Sequence, residues 1–166
     1  MNIIKGQKQD ISNIMDIISK CINNMKTQNI FQWDEAYPNL NIIEKDILHE
    51  EGYVLQDNEK AIAYVAINEE QPEEYSEIPW ITNGQKVLVI HRLAVNPELQ
   101  GMGIAKKLLR FIEEFAFSNK YTCIRLDAYS GNEKALKLYE GFGYKKAGQI
   151  YFPRREFSFY CYEKDI

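Results

Sequence analysis

Apolar residues recur along the chain in two rhythms, and the changes of rhythm outline its elements. Across residues 10–25, Ile11, Ile14, Met15, Ile18 and Ile22 stand three and four apart, which predicts an amphipathic helix. Leu40, Ile43, Ile47 and Leu48 predict a second helix with those four residues on one face. Two apolar runs at residues 52–56 and 60–67 flank Asp57, Asn58 and Glu59, the pattern of a hairpin. Residues 86–95, dense in Val, Leu and Ile, predict a buried central strand that Pro97 ends. From 103 to 118, Ala105, Leu108, Leu109, Ile112, Phe115 and Ala116 form one apolar stripe with charges opposite, the strongest helical signal in the chain. Shorter patterns predict strands at 2–5, 122–129, 144–151 and 156–163, the last two around Pro153, Arg154 and Arg155, and a helix at 132–141. Two segments have no rhythm. Residues 31–38 are an aromatic loop closed by Pro38, and residues 68–85 are acidic, contain Pro72, Pro79 and Gly84, and predict a long exposed loop. The fold class that follows is α/β (α+β), with helices packed on a mixed sheet of about seven strands. No repeat or linker divides the chain, so residues 1–166 are expected to form a single domain.

Composition narrows the function classes. Twenty Lys and Arg against twenty-four Asp and Glu give a net charge of −4, which argues against a nucleic-acid partner, since such binding depends on neutralising phosphates. A small pocket for one phosphorylated ligand stays compatible with it. The longest aliphatic run, Val87 to Ile90, is far short of the roughly 20 residues that cross a bilayer. The first ten residues lack an apolar signal core. Cys21, Cys123 and Cys161 are scattered, and the two histidines, His49 and His91, lie far apart. These features predict no metal site, no disulfide framework, no membrane partner and a cytoplasmic, reducing location.

Residues 93–105 carry the most chemistry. A buried strand (Leu93, Ala94, Val95) runs through Asn96, Pro97, Glu98, Leu99 and Gln100 into Gly101, Met102 and Gly103, and then Ile104 and Ala105 open the strongest helix. Glycines there free the backbone to approach a ligand and aim successive N–H groups at it, and the helix start adds partial positive charge. Lys106 and Lys107 occupy the first turn, where acidic residues are preferred, so a bound anion would relieve them. The alternative is a packing turn with solvated lysines. The phosphate-loop pattern G-x-x-x-x-G-K-[ST] is absent. The dinucleotide pattern G-x-G-x-x-G nearly fits, with Asp127 downstream as its acid, but its third glycine falls on Lys106, and an NAD-dependent oxidoreductase is the weaker reading.

Gln100, Gly103 and Ala105 match [QR]-x-x-G-x-[GA], and Asn132, Ala135, Leu138, Tyr139, Glu140, Gly143 and Tyr144 match N-x-x-A-x-x-L-Y-E-x-x-G-[FY], in that order with a strand between them. The chain in this respect resembles the GNAT superfamily of N-acetyltransferases, and its element order agrees from residue 2 to residue 163. The resemblance implies a mixed, splayed sheet with helices on both faces and acetyl-CoA as cofactor. It implies that Leu93, Ala94 and Val95 hold the pantetheine arm, that the backbone from 101 to 105 (Gly101, Met102, Gly103, Ile104, Ala105) holds the pyrophosphate, with Gln100 and Lys106 beside it, and that Asn132 reaches the pantetheine. Asn132 also reads as an ordinary helix N-cap.

The same resemblance suggests the chemistry. Transfer of an acetyl group to an amine needs a neutral amine, a polarised carbonyl and a proton for the departing thiolate. A backbone N–H, that of Leu93 by resemblance, supports the developing oxyanion. Tyr139 stands at the family's tyrosine position, where the phenol faces the CoA sulfur; a packing role is its alternative among eleven tyrosines. His91, two residues before Leu93, lies on the same strand face if no bulge intervenes. Serotonin N-acetyltransferases of the family carry a histidine there for proton removal, while other members use a water chain. The aromatic loop supplies Trp33, Asp34 and Tyr37 as an acceptor wall suited to a cationic amine, small molecule or peptide. A non-catalytic acyl-CoA-binding module is the competing class, and a phenol at the sulfur favours the enzyme. Family resemblance also leaves room for a homodimer.

Overall fold

The computed structural model describes residues 1–82 and 85–166. Its elements are β1 (Asn2–Lys5), α1 (Ile11–Thr27), α2 (Leu40–Leu48), β2 (Gly52–Asp57), β3 (Lys60–Asn68), β4 (Val87–Val95), α3 (Ile104–Ser118), β5 (Cys123–Tyr129), α4 (Glu133–Gly141), β6 (Lys145–Ile150) and β7 (Phe159–Asp165). The strands form one mixed sheet in the order β1-β2-β3-β4-β5-β7-β6, with β4 and β5 parallel and the pairs β1–β2, β2–β3, β5–β7 and β6–β7 antiparallel. By compactness the chain divides into two units. One comprises Met1–Asn29, Trp33–Ile67 and His91–Ile112, the other Ile30–Gln32, Asn68–Ile90 and Glu113–Ile166.

In the first unit, β2 joins β1 and β3 on antiparallel ladders. The β2–β3 turn puts Asn58 and Glu59 at φ +48° and +62°, the doubly left-handed turn whose twist matches a two-residue hairpin. α1 buries Ile14, Ile17, Ile18, Cys21 and Ile22, a stripe at positions i, i+3, i+4, i+7 and i+8. These residues pack with Trp33, Ile43, Val54, Ala61, Tyr64, Ala66 and Ala94 into the unit's core. α2 departs from expectation. Ile43 is fully buried and Ile47 packs on the core, but Leu40 and Leu48 are exposed, and the buried neighbour is the charged Asp46. Asn39 caps α2 by accepting from the Ile42 N–H at 3.2 Å.

In the second unit, β5 pairs with β4 in parallel (Val87↔Cys123 to Val89↔Arg125) and with β7 antiparallel over its whole length, and β6 pairs on the far edge of β7. Tyr75, Ile78, Val87, Val89, Cys123, Tyr129, Ile150, Phe159 and Cys161 form its core. The segment expected as an exposed acidic loop is only partly that. It contains a 3-10 turn, Glu73–Glu77, and buries Tyr75 and Ile78, while the acidic side chains Glu69, Glu70, Glu73 and Glu77 stay exposed. Glu163 of β7 pins its end by accepting from the backbone N–H groups of Ile81 and Thr82, and Arg125 donates to Gln71 and to the Thr82 carbonyl. The Arg125 guanidinium also lies 4.1 Å over the Trp80 ring. Gly84, which helped mark this loop in the sequence, lies outside the described residues. No helix among the described residues is long and apolar enough to cross a membrane.

Candidate functional site

Within the first unit, the conformation of β4 decides where its side chains go. Arg92 sits at φ +48°, a left-handed residue in the middle of the strand. Such a conformation costs about 1–2 kcal/mol for a residue with a side chain, so something must hold it. Asp46 does. Its carboxylate accepts from Arg92 Nη2 at 2.6 Å and from Nε at 3.0 Å, and also takes the Tyr64 hydroxyl proton bond at 2.6 Å. Arg92 Nη1 donates to the Tyr37 hydroxyl at 3.2 Å. The bulge breaks the alternation on which a shared face for His91 and Leu93 depends. His91, Arg92 and Leu93 are all half-buried, and the left-handed residue between His91 and Leu93 is the interruption on which their sharing of a face was conditional.

Ala94 and Val95 are buried, and the Val95 carbonyl accepts the Cys21 thiol at 3.3 Å. The chain then tightens. Asn96 accepts from the Glu98 N–H, Pro97–Leu99 forms a 3-10 turn, and Gln100 leaves it extended. Gly101 and Gly103 follow at φ +84° and +78°, conformations natural to glycine. A Cβ on either would meet no atom within 4 Å, so the space over both is open. Met102 is exposed, Ile104 anchors α3 in the core, Ala105 is half-buried and Lys106 is exposed. The first turn of α3 holds no acid. Lys107, expected to await an anion, instead donates to the Met1 carbonyl at 2.8 Å.

The aromatic loop separates its residues. Trp33 is only 8% exposed and belongs to the core cluster. Asp34 Oδ1 accepts from the Ala36 and Tyr37 N–H groups, which shapes the turn. Tyr37 is exposed and is held by Arg92.

Within the second unit, Asn132 caps α4 by accepting from the Ala135 N–H at 3.2 Å, and its amide donates to Gln32 at 3.1 Å. The N-cap reading of Asn132 is thus realised. Tyr139 is 8% exposed and lies between the rings of Tyr144 and Tyr162, at centroid distances of 6.0 and 6.3 Å. Burial first, and the charge of Asp127 second, hold its phenol well above the ordinary tyrosine range, so it keeps its proton at neutral pH. Asp127 of β5 accepts the Tyr75 hydroxyl at 2.7 Å. Burial pushes its carboxyl up to about 6; the Tyr75 hydrogen bond opposes that rise, and the charge of Glu74 adds to it.

A model of the acetyltransferase (GNAT) family matches residues 18–144, spanning both the glycine turn and Tyr139. The chain belongs to this family. It is 40% identical over 68 residues to N-acetyltransferase 8F1 of Mus musculus, covering 41% of this chain and 31% of that protein. With N-acetyltransferase 8 of Homo sapiens it shares 32% over 114 residues, 66% of this chain and 46% of that protein. The matches thus span about a third to a half of the length of these relatives. A solved GNAT-family acetyltransferase from Streptococcus agalactiae 2603 shares the fold with a TM-score of 0.81 at 24% identity, covering 99% of this chain and 95% of that one.

Several long-range polar pairings within the two units escape a reading of the sequence. Asp46 and Arg92 are ordinary helix and strand charges in a linear reading, and their pairing spans 46 residues. Tyr75 hides in an acidic run and meets Asp127 across 52 residues. Asp127 itself attracts attention only as the acid of a dinucleotide pattern. Its local signal is a lone carboxylate in β5 with Leu126 and Ala128, both buried, on either side in sequence.

Proposed function

We propose that the chain transfers an acetyl group from acetyl-CoA to a primary amine by direct attack in a ternary complex. The observation that carries this reading is the Gly101–Gly103 turn. Both glycines are left-handed, both face open space, and they open a helix with no acid in its first turn. That geometry fits a pyrophosphate, whose oxygens take backbone N–H groups and benefit from the helix start. In this reading the backbone of residues 101–105 holds the pyrophosphate with Gln100 and Lys106 beside it, and Leu93, Ala94 and Val95 hold the pantetheine arm. Acetyl-CoA supplies an activated acyl group on a thiol that can leave.

The chain's own residues do the rest. The amine nitrogen would form the new bond to carbon and shed its surplus proton, the carbon–sulfur bond would break, and Tyr139 would give its phenolic proton to the departing sulfur and regain one, through solvent, in exchange for that lost by the nitrogen. A phenol that burial keeps protonated at neutral pH supports that role. Asn132, fixed as a cap and by Gln32, has its side chain oriented by two contacts before any ligand arrives. Asp34 and Tyr37 serve the acceptor, a small-molecule or peptide amine, with Trp33 as the packed support behind them. Free, buried cysteines at 21, 123 and 161 support a reducing, cytoplasmic setting.

The test is a thermal shift of the purified protein with acetyl-CoA, CoA and NAD. At about 100 times Kd a ligand adds roughly 2.7 kcal/mol, several degrees for a chain of this size. Acetyl-CoA and CoA are expected to stabilise and NAD to do nothing; stabilisation by NAD alone overturns the reading. Tyr139→Phe then separates enzyme from binding module: kcat falls about 10- to 1,000-fold with the CoA shift retained.

A further inference from the structure

Catalysis by the route above needs an acceptor nitrogen stripped of one proton, and an amine at neutral pH arrives as an ammonium. We infer that Asp127, held by Tyr75, is the group in the second unit that receives this proton. The inference rests on the acetyltransferase reading and names the proton acceptor of that same chemistry.

The geometry sets Asp127 apart from every other acid here. It is half-buried in the middle of β5, opposite Cys161 on β7, between the buried Leu126 and Ala128 in sequence. Among the described residues, Tyr75 supplies the single hydrogen bond to its carboxylate, at 2.7 Å to Oδ1. A carboxylate has room for about four such bonds, so Oδ2 is left able to accept from a ligand. Other buried acids are committed. Asp10 accepts from the Gln7 N–H and the Gln56 amide, Asp46 is paired with Arg92, and Glu163 is taken by Arg125, Ile81 and Thr82. The groups that face Asp127 are Glu74 and Tyr75 from the 3-10 turn, Cys161 from β7 and Tyr139 from α4. Arg125, two residues earlier on its own strand, turns its charge to Glu163 and to the Trp80 ring. No cation among the described residues pairs with Asp127, and the charge that acts on it, that of Glu74, is another acid's. A desolvated, unpaired carboxylate beside a second acid is a poor structural element and a good seat for an ammonium.

Its titration suits the task. A carboxyl at about 6 is ionised at neutral pH yet basic enough to hold a proton. The step balances simply: an ammonium N–H bond breaks, Asp127 takes the proton and becomes neutral, and the freed lone pair is the nucleophile. After turnover the proton returns to solvent. Tyr75 is the positioning residue, fixing Oδ1 and holding the carboxyl lower than burial alone would.

The experiment follows the Asp127 carboxyl by carbon-13 NMR in the full chain, with 2-phenylethylamine as the cationic probe and 2-phenylethanol as its neutral counterpart. Asp127 is expected to titrate near 6, to move upward in Tyr75→Phe, and to move downward with the amine but not the alcohol. Acetylation of 2-phenylethylamine, read as thiol release from acetyl-CoA, is expected to fall 100- to 10,000-fold in kcat/KM in Asp127→Asn, with the acetyl-CoA thermal shift intact. In Tyr75→Phe the acidic limb of its pH profile moves upward with the NMR midpoint. An Asp127 midpoint that ignores the amine, or Asp127→Asn within threefold of wild type, overturns the inference. Loss of the wild-type acetyl-CoA thermal shift would instead overturn the acetyltransferase reading, while the NMR titration still reports on Asp127 itself.

Discussion

Asp46 and Arg92 allow the forces at the β4 bulge to be weighed. Their side chains are 3% and 10% exposed, and the contact is bidentate at 2.6 and 3.0 Å. Replacing Asp46 by Leu leaves the Arg92 charge buried with only the Tyr37 hydroxyl to accept from it, and leaves the Tyr64 hydroxyl without its acceptor. An orphaned buried charge costs about 3–5 kcal/mol, and an orphaned hydroxyl about 1–3 kcal/mol. Asp46→Leu should therefore lose about 5 kcal/mol, a third or more of the stability of an ordinary domain. Arg92→Met leaves Asp46 with one hydrogen bond in place of three and should lose about 3–5 kcal/mol. The double variant Asp46→Leu/Arg92→Met leaves only the Tyr64 hydroxyl unsatisfied and should lose about 1–3 kcal/mol, less than either single change. Urea denaturation at pH 7, followed by tryptophan fluorescence with Trp33 in the same core, measures all three. If the double loss equals the sum of the single losses, the two charges are not coupled and the account of the bulge is wrong.

Gly103→Val forces a β-branched residue to φ +78°, so the acetyl-CoA thermal shift should vanish; an unchanged shift means the turn does not cradle the pyrophosphate. The thiols of Cys21 and Cys161 are pushed up by burial to about 11 and about 12, and all three cysteines are buried. Ellman's reagent should thus label the folded protein far more slowly than the urea-unfolded one, and rapid native labelling would contradict the packing. Asp127 bears on stability with a definite sign. Its folded value of about 6 lies above the ordinary 3.8, so its favourable contribution is full below pH 4 and is lost as the pH rises through 6. That gap corresponds to about 3 kcal/mol. Asp127→Asn should accordingly be more stable than wild type at pH 8 by up to about that amount and equal to it near pH 4; chemical denaturation at the two pH values decides it.

What could be seen in the sequence was what depends on neighbours along the chain. A doubly left-handed turn needs residues such as Asn58 that tolerate it, and a ligand cradle at φ near +80° needs Gly101 and Gly103, so both declare themselves by residue type. α3 could be found because Leu108, Leu109, Ile112 and Ala116, all buried, recur at helical spacing, although Ile104, its first buried residue, precedes the stripe as read. The errors come where an apolar label or a charge is taken as position. Leu48 continues the stripe of α2 yet is 78% exposed at its last residue, where the helix has left the core behind. Residues 68–82 read as solvent-facing because five of the fifteen are glutamates, yet Tyr75, within the 3-10 turn, and Ile78, just past it, are buried while Glu73 and Glu77 of the same turn are exposed. The site divides along the same line. Glycine geometry is a local property and Tyr139 sits in a local motif, but the properties of Asp127 and Arg92 belong to partners 52 and 46 residues away. A carboxylate becomes a base through what surrounds it in space. Its chemistry therefore appears only once the fold has brought a tyrosine and a second acid around it, and left one of its oxygens waiting.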